Sequence, residues 1–138
     1  MATAPLTPET RDARARLIAL GARYHRAGWL YGTSGNLSMR VGERVVVTAS
    51  GHDKGELGPE HFVEVALDGT LLAAGAVPGR DGTPIIGRPS AETSIHLALY
   101  RTRPEARCAL HVHTVASTLC SPAGPPLGDP PVPCRRCS

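Results

Sequence analysis

With 138 residues, 15 Lys+Arg against 12 Asp+Glu and a formal net charge of +3, the chain has the length of one domain. The mild charge is that of neither an acidic disordered tail nor a dedicated nucleic-acid arm. A hydrophobic fraction of 41% supports a core, and one Trp, one Phe and three Tyr make that core aliphatic. No run approaches the roughly 20 apolar residues of a membrane span, and Met1–Glu9 lacks the basic-then-apolar pattern of a secretory signal. The expectation is a cytoplasmic protein without membrane or nucleic-acid partners.

The first predicted element is a helix over 8–27. Thr7 caps it, Pro8 suits the first helical position and Glu9 the first turn. Ala13, Leu17, Leu20 and Tyr24 line one face, and Gly28 stops it. Residues 29–38 read as a small-residue loop. A β-branched strand is expected over Arg44–Ala49, and another over Phe62–Leu67. The Asp68-Gly69 hairpin signal follows, leading into Thr70–Leu72. Residues 74–89 are rich in Gly and Pro and read as loop. A second helix is predicted over Ala91–Arg101, capped by Ser90, closed by Pro104, with Ile95 and Leu99 as its buried stripe.

Residues 107–113 alternate in the period of a strand, which sets Ala109, His111 and His113 on one face. Beyond Leu119 the composition changes: six of the thirteen prolines fall in 121–138. A family domain over 1–119 and a disordered Pro/Cys-rich tail over 120–138 are therefore expected. Of the four cysteines, Cys108 lies in the last strand and Cys120, Cys134 and Cys137 crowd the end. Without a secretory signal this does not suggest a disulfide framework.

His111-Val112-His113 is the sharpest chemical feature. Two residues apart on a strand places both imidazoles on one face with Cα atoms about 6.5 Å apart, a span on which two ligands can converge on one cation. The same spacing also suits two histidines on a half-buried strand face. A catalytic zinc commonly takes three protein ligands. His25, His52, His61 and His96 are third candidates by chemistry, and Cys134 and Cys137 could be drawn with the histidines as a structural site. Thr33-Ser34-Gly35-Asn36 and Thr48-Ala49-Ser50-Gly51 are small loops able to offer backbone N–H and hydroxyl donors to a phosphate, or ordinary turns. Glu92, near a helix start, complements the helix dipole or acts as an acid/base. Lys54, the single lysine, reads as a solvated charge.

In their order and spacing, Gly32–Ser38, Thr48–Gly51, Pro89–Thr93 and His111–Thr114 resemble the class II aldolase/adducin family, over about residues 9–119. Within it, Thr48–Leu57, Arg88–Thr93 and Leu97–Arg101 look most like the branch that dehydrates methylthioribulose 1-phosphate in methionine salvage. The resemblance implies a three-layer α/β/α fold around a mainly antiparallel sheet, assembled as a homotetramer. It implies zinc, one per subunit, on His111 and His113, with a third histidine beyond the resemblance. It further implies a sugar phosphate held by Thr33, Ser34, Gly35, Asn36, Thr48, Ser50, Gly51 and Ser90. Glu92 matches the aldolases' acid/base, while the dehydratase branch assigns that role to a carboxylate beyond the His-x-His strand. The expected activity is a zinc-dependent hydro-lyase, with a sugar-phosphate aldolase or epimerase, or an inactive truncated member, as alternatives.

Overall fold

The computed structural model describes residues 6–120. Helix α1 (Pro8–Arg26) starts at Thr7, whose hydroxyl accepts from Thr10 N at 3.3 Å, and ends at Gly28 with φ +72°. Five strands make the main sheet: β1 (Asn36–Val41), β2 (Arg44–Thr48), β3 (Phe62–Ala66), β4 (Leu71–Ala74) and, after a small hairpin and a helix, β7 (Cys108–His111); of these, β2 and β3 follow the predicted β-branched runs. They form one sheet in the order β4-β3-β2-β1-β7, every pairing antiparallel. Helix α2 (Thr93–Thr102) covers the face opposite α1, giving the expected three layers. A short helix α3 (Val115–Cys120) ends the described part. Among the described residues, no helix is long and apolar enough to cross a membrane.

Alternation along each strand sorts the core into two aliphatic layers. Leu37, Val46 and Phe62 pack with Ala13, Leu17, Leu30 and Leu57 on the α1 side, joined by the half-buried Leu110 and Val112. Val45, Val47, Val63, Val65 and Ala109 pack with Leu97 and Tyr100 on the α2 side. The α1 side also buries an ion pair. Arg14 donates to Glu64 Oε1 at 3.1 Å and to Pro59 O at 2.7 Å, while Arg44 reaches Glu64 Oε2 at 3.2 Å. Gly21 lets α1 approach the loop at Lys54, where a Cβ would collide with the Lys54 carbonyl.

Several expectations need correction. Asn36, Leu37 and Ser38 are strand, not loop, because β1 is clamped between β2 and β7. Residues 74–89 contain a two-stranded hairpin, β5 (Ala76–Pro78) with β6 (Pro84–Ile86). The buried face of α2 is Thr93, His96, Leu97 and Tyr100, leaving Ile95 60% and Leu99 38% exposed. The layer beneath α2 accommodates polar side chains: Ser38 Oγ meets His96 Nδ1 at 2.6 Å and Tyr100 Oη at 2.8 Å. The N-cap of α2 is Glu92; Ser90 acts just before it, accepting from Glu92 N at 3.3 Å. Cys108 and Cys120 are free thiols, whereas Cys134, Cys137 and the predicted tail beyond residue 120 lie outside the described residues.

Candidate active site

The site forms where three loops meet the end of β7. A single antiparallel bridge joins Ala49 to Pro89, and Ser50 N donates to Arg88 O at 2.9 Å. Together they fasten the Thr48–Gly51 segment to the Pro89–Thr93 segment. On the other side, His113 N donates to Trp29 O at 2.8 Å, holding the chain after β7 against the Trp29–Gly35 loop. Gly35 makes this approach possible: its φ is +77°, and a Cβ there would stand 2.6 Å from His111 O and collide with Leu30.

The loops enclose a cleft of about 190 Å³ lined by Thr33, Ser34, Gly35, Asn36, Ala49, Ser50, Gly51, Lys54, Ser90, Glu92 and His113. Seven of the eight residues expected to hold phosphate are therefore brought together. The exception is Thr48. As the last residue of β2 it follows the alternation of Val46 onto the α1 side, is 1% exposed, and accepts a hydrogen bond from Leu37 N at 3.2 Å. Its hydroxyl is turned away from the cleft.

Strand register sets the chemistry opposite these loops. Asn36 and His111 are directly paired across β1 and β7, on the face covered by α2. Glu92 projects from the start of α2 onto both. Its Oε2 accepts from Asn36 Nδ2 at 2.9 Å and lies 3.2 Å from His111 Nδ1. The helix-dipole reading of Glu92 gives way to one in which its carboxylate belongs to the cleft. The expected strand over 107–113 is shorter, since β7 ends at His111 and His113 follows it; the two rings nevertheless lie 4.7 Å apart between centroids, tilted by 38°. His111 Nδ1 and Asn36 Oδ1 are buried without a hydrogen-bond partner among the described residues, so both retain unused capacity.

None of the four candidate third histidines joins this pair; among the described residues, no group of three His, Cys, Asp or Glu is placed to hold a metal. His25 lies 3.6 Å from Asp53, and His52 stacks on His61 with centroids 4.2 Å apart. His96 lies under α2 with its Nδ1 engaged by Ser38. Burial pushes His96 below the usual imidazole range, aided by nearby His111 and opposed by Glu92.

Lys54 is not the solvated charge that its sequence suggests. It is 2% exposed and lines the cleft, its Nζ donating to Thr33 O at 2.9 Å and His52 O at 2.7 Å. Only its place three residues after the Thr48–Gly51 loop, in a chain otherwise relying on arginine, hints at this.

The family profile of the class II aldolase and adducin N-terminal domain matches residues 15–134. The chain belongs to the class II aldolase/adducin family. The match runs past Leu119 into the proline-rich segment. The methylthioribulose-1-phosphate dehydratase of Leptospira interrogans is 46% identical over 107 residues, covering 75% of this chain and 41% of that protein. The enzyme of the same name from Microcystis aeruginosa is 40% identical over 124 residues, covering 88% and 57%. The chain spans about half the length of the curated relatives it matches. Among solved class II aldolase structures, an L-fuculose 1-phosphate aldolase superposes with a TM-score of 0.67 at 25% identity, covering 86% of this chain and 50% of that one. The L-fuculose-1-phosphate aldolase of Thermus thermophilus gives 0.63 at 26% identity, covering 80% and 51%.

Proposed function

We propose that this chain carries the substrate-binding part of a zinc-dependent hydro-lyase that removes water from 5-methylthioribulose 1-phosphate in methionine salvage. The observation carrying this reading is the Glu92 carboxylate, held by Asn36 between the phosphate-type loops and the His-x-His pair. The names of the curated relatives supply the substrate. The family relationship supports action as a cytoplasmic homo-oligomer, a tetramer.

The residues fit a divalent metal in part. His111 and His113 would hold it, consistent with their two neighbouring imidazoles; a third ligand must come from elsewhere than the described residues. When bound, zinc would polarise the substrate carbonyl and acidify the neighbouring C–H. The chain's own part is then clear. Thr33, Ser34, Gly35, Asn36, Ser50, Gly51 and Ser90 anchor the phosphate. Glu92 takes the proton from the carbon beside the carbonyl and returns a proton to the hydroxyl leaving the next carbon, which departs as water. The resulting enol tautomerises to the diketone.

The decisive experiment supplies 5-methylthioribulose 1-phosphate to the zinc-loaded 138-residue protein and follows the products. A phosphorylated diketone supports the dehydratase. The likeness to L-fuculose 1-phosphate aldolases favours a second reading, in which the same cleft cleaves a C–C bond, so release of an aldehyde would point there. A folded, zinc-loaded protein that yields neither product overturns both readings in favour of an inactive family member.

A further inference from the structure

Lys54 is the only lysine in 138 residues, and it is enclosed. Its ammonium carries three protons. Two are donated to carbonyls on different loops, Thr33 O and His52 O, so the side chain laces the two loops together from beneath. Among the described residues the ammonium has no other acceptor and takes part in no ion pair. Asp53, its sequence neighbour, is turned elsewhere: its Oδ1 accepts from Gly55 N at 2.7 Å and lies 3.6 Å from His25 Nε2. Glu92 also lines the cleft, its Oε2 held by Asn36.

A buried ammonium without a directly paired counter-charge is costly. Burial accordingly pulls Lys54 below the ordinary lysine range, with Asp53 and Glu92 only partly opposing it. The void it borders is rimmed by serine, threonine and glycine, which offer neutral donors. A compact anion with several oxygen acceptors satisfies the ammonium and the rim together, and a phosphate monoester dianion is such a group.

We propose that Lys54 is the cationic contact for the substrate phosphate, donating its third N–H to a phosphate oxygen while its other two protons hold the loops in their binding arrangement. The proposal rests on the lyase reading for the identity of the molecule that bears the phosphate. The anion site itself can be tested without turnover. Because the loops are already tied, little ordering remains when the anion enters. Arginine is a poor substitute, since its planar fork cannot meet two carbonyls and a central anion from the same buried position.

The single lysine makes the test specific. Biosynthetic labelling with ¹⁵N-lysine gives one side-chain ammonium signal, to be followed while inorganic phosphate is added to the 138-residue protein. The signal is expected to shift saturably, and its pH midpoint to rise by about one pH unit or more with phosphate bound. Lys54→Met, folded by its amide spectrum, should bind phosphate at least about ten-fold more weakly in a calorimetric titration. Should that variant fail to fold, the wild-type signal decides alone. A lysine signal indifferent to phosphate, equal affinities for the two proteins, or no phosphate binding by the wild type would each overturn the proposal. A responsive Lys54 without turnover of methylthioribulose 1-phosphate would sink the dehydratase reading and leave the anion site standing. Turnover with a silent Lys54 would do the reverse.

Discussion

Beneath α1 the sheet buries a charged cluster, Arg14 with Glu64 and Arg44. Beneath α2 it buries an uncharged one, Ser38 with His96 and Tyr100. The first is nearly closed: both Glu64 oxygens are partnered, Arg14 also reaches Pro59 O, and only Arg14 Nε is left over. The second leads toward the cleft. His111 stands near enough to His96 to oppose its protonation, and His111 keeps an unmet Nδ1 beside Glu92. A buried polar group is thus informative less for being buried than for what it leaves unmatched. The closed cluster supports the fold, and the open one abuts the chemistry.

The largest test of this contrast is Glu92→Gln. It should cut the proposed dehydratase activity by about 10²–10⁴-fold, as loss of a general acid/base does, with a urea midpoint close to wild type. A large stability loss with normal turnover would make Glu92 a scaffold residue. Next comes Arg14→Ala, which deprives buried Glu64 of its main partner and should cost about 3–5 kcal/mol in urea denaturation. The paired replacement Arg14→Met with Glu64→Leu should recover most of it. A loss below about 1 kcal/mol for the single variant would show that the cluster is not closed in the way described. Tyr100→Phe removes the hydroxyl that donates to Ser38 O at 3.1 Å, and about 1–2 kcal/mol of stability should go with it in the same denaturation.

The smallest effect is in pH. Burial makes folded His96 harder to protonate than the unfolded chain, so the unfolded state binds more protons as the solution acidifies. Its contribution is complete above the unfolded imidazole value, about 6.5, and is lost as pH falls through the lower folded value. His96→Gln should flatten the acid limb of the thermal midpoint against pH, and an unchanged limb would place the titration elsewhere. His52 shifts in the same direction, chiefly through burial, and contributes to the slope that remains.

Much of the fold can be read where one signal dominates. The cap, proline and apolar spacing of 7–28 give α1, and β-branched runs give β2 and β3. The two-residue spacing of His111 and His113 fixes their common side. Other parts depend on tertiary partners. β1 begins with Asn36, a poor strand former that pairs with His111 of β7, and reaches Ser38, which pairs with both β2 and β7. Ile95 and Leu99 draw the stripe of α2 to the wrong side, since the layer beneath accepts His96 and Tyr100 through hydrogen bonds. At the site, Thr48 reads as part of a loop; counting it as strand, two residues on from Val46, turns it away. Lys54 leaves almost no local signal, because its burial is produced by carbonyls twenty-one and two residues away in sequence.

The pairing of Asn36 with His111 makes the site a check on how β7 was zipped to the sheet. A slip of one residue would reverse every side chain of that strand. Leu110 and Val112 would be delivered to the cleft and both imidazoles to the oily layer under α1, while helix content and overall size barely changed. Spectroscopic measures of folding would pass such a molecule as sound. The proximity of Glu92 to His111, read by a crosslink, would count only the correctly assembled fraction, so the register of the last described strand is proofread by the cleft that it helps to build.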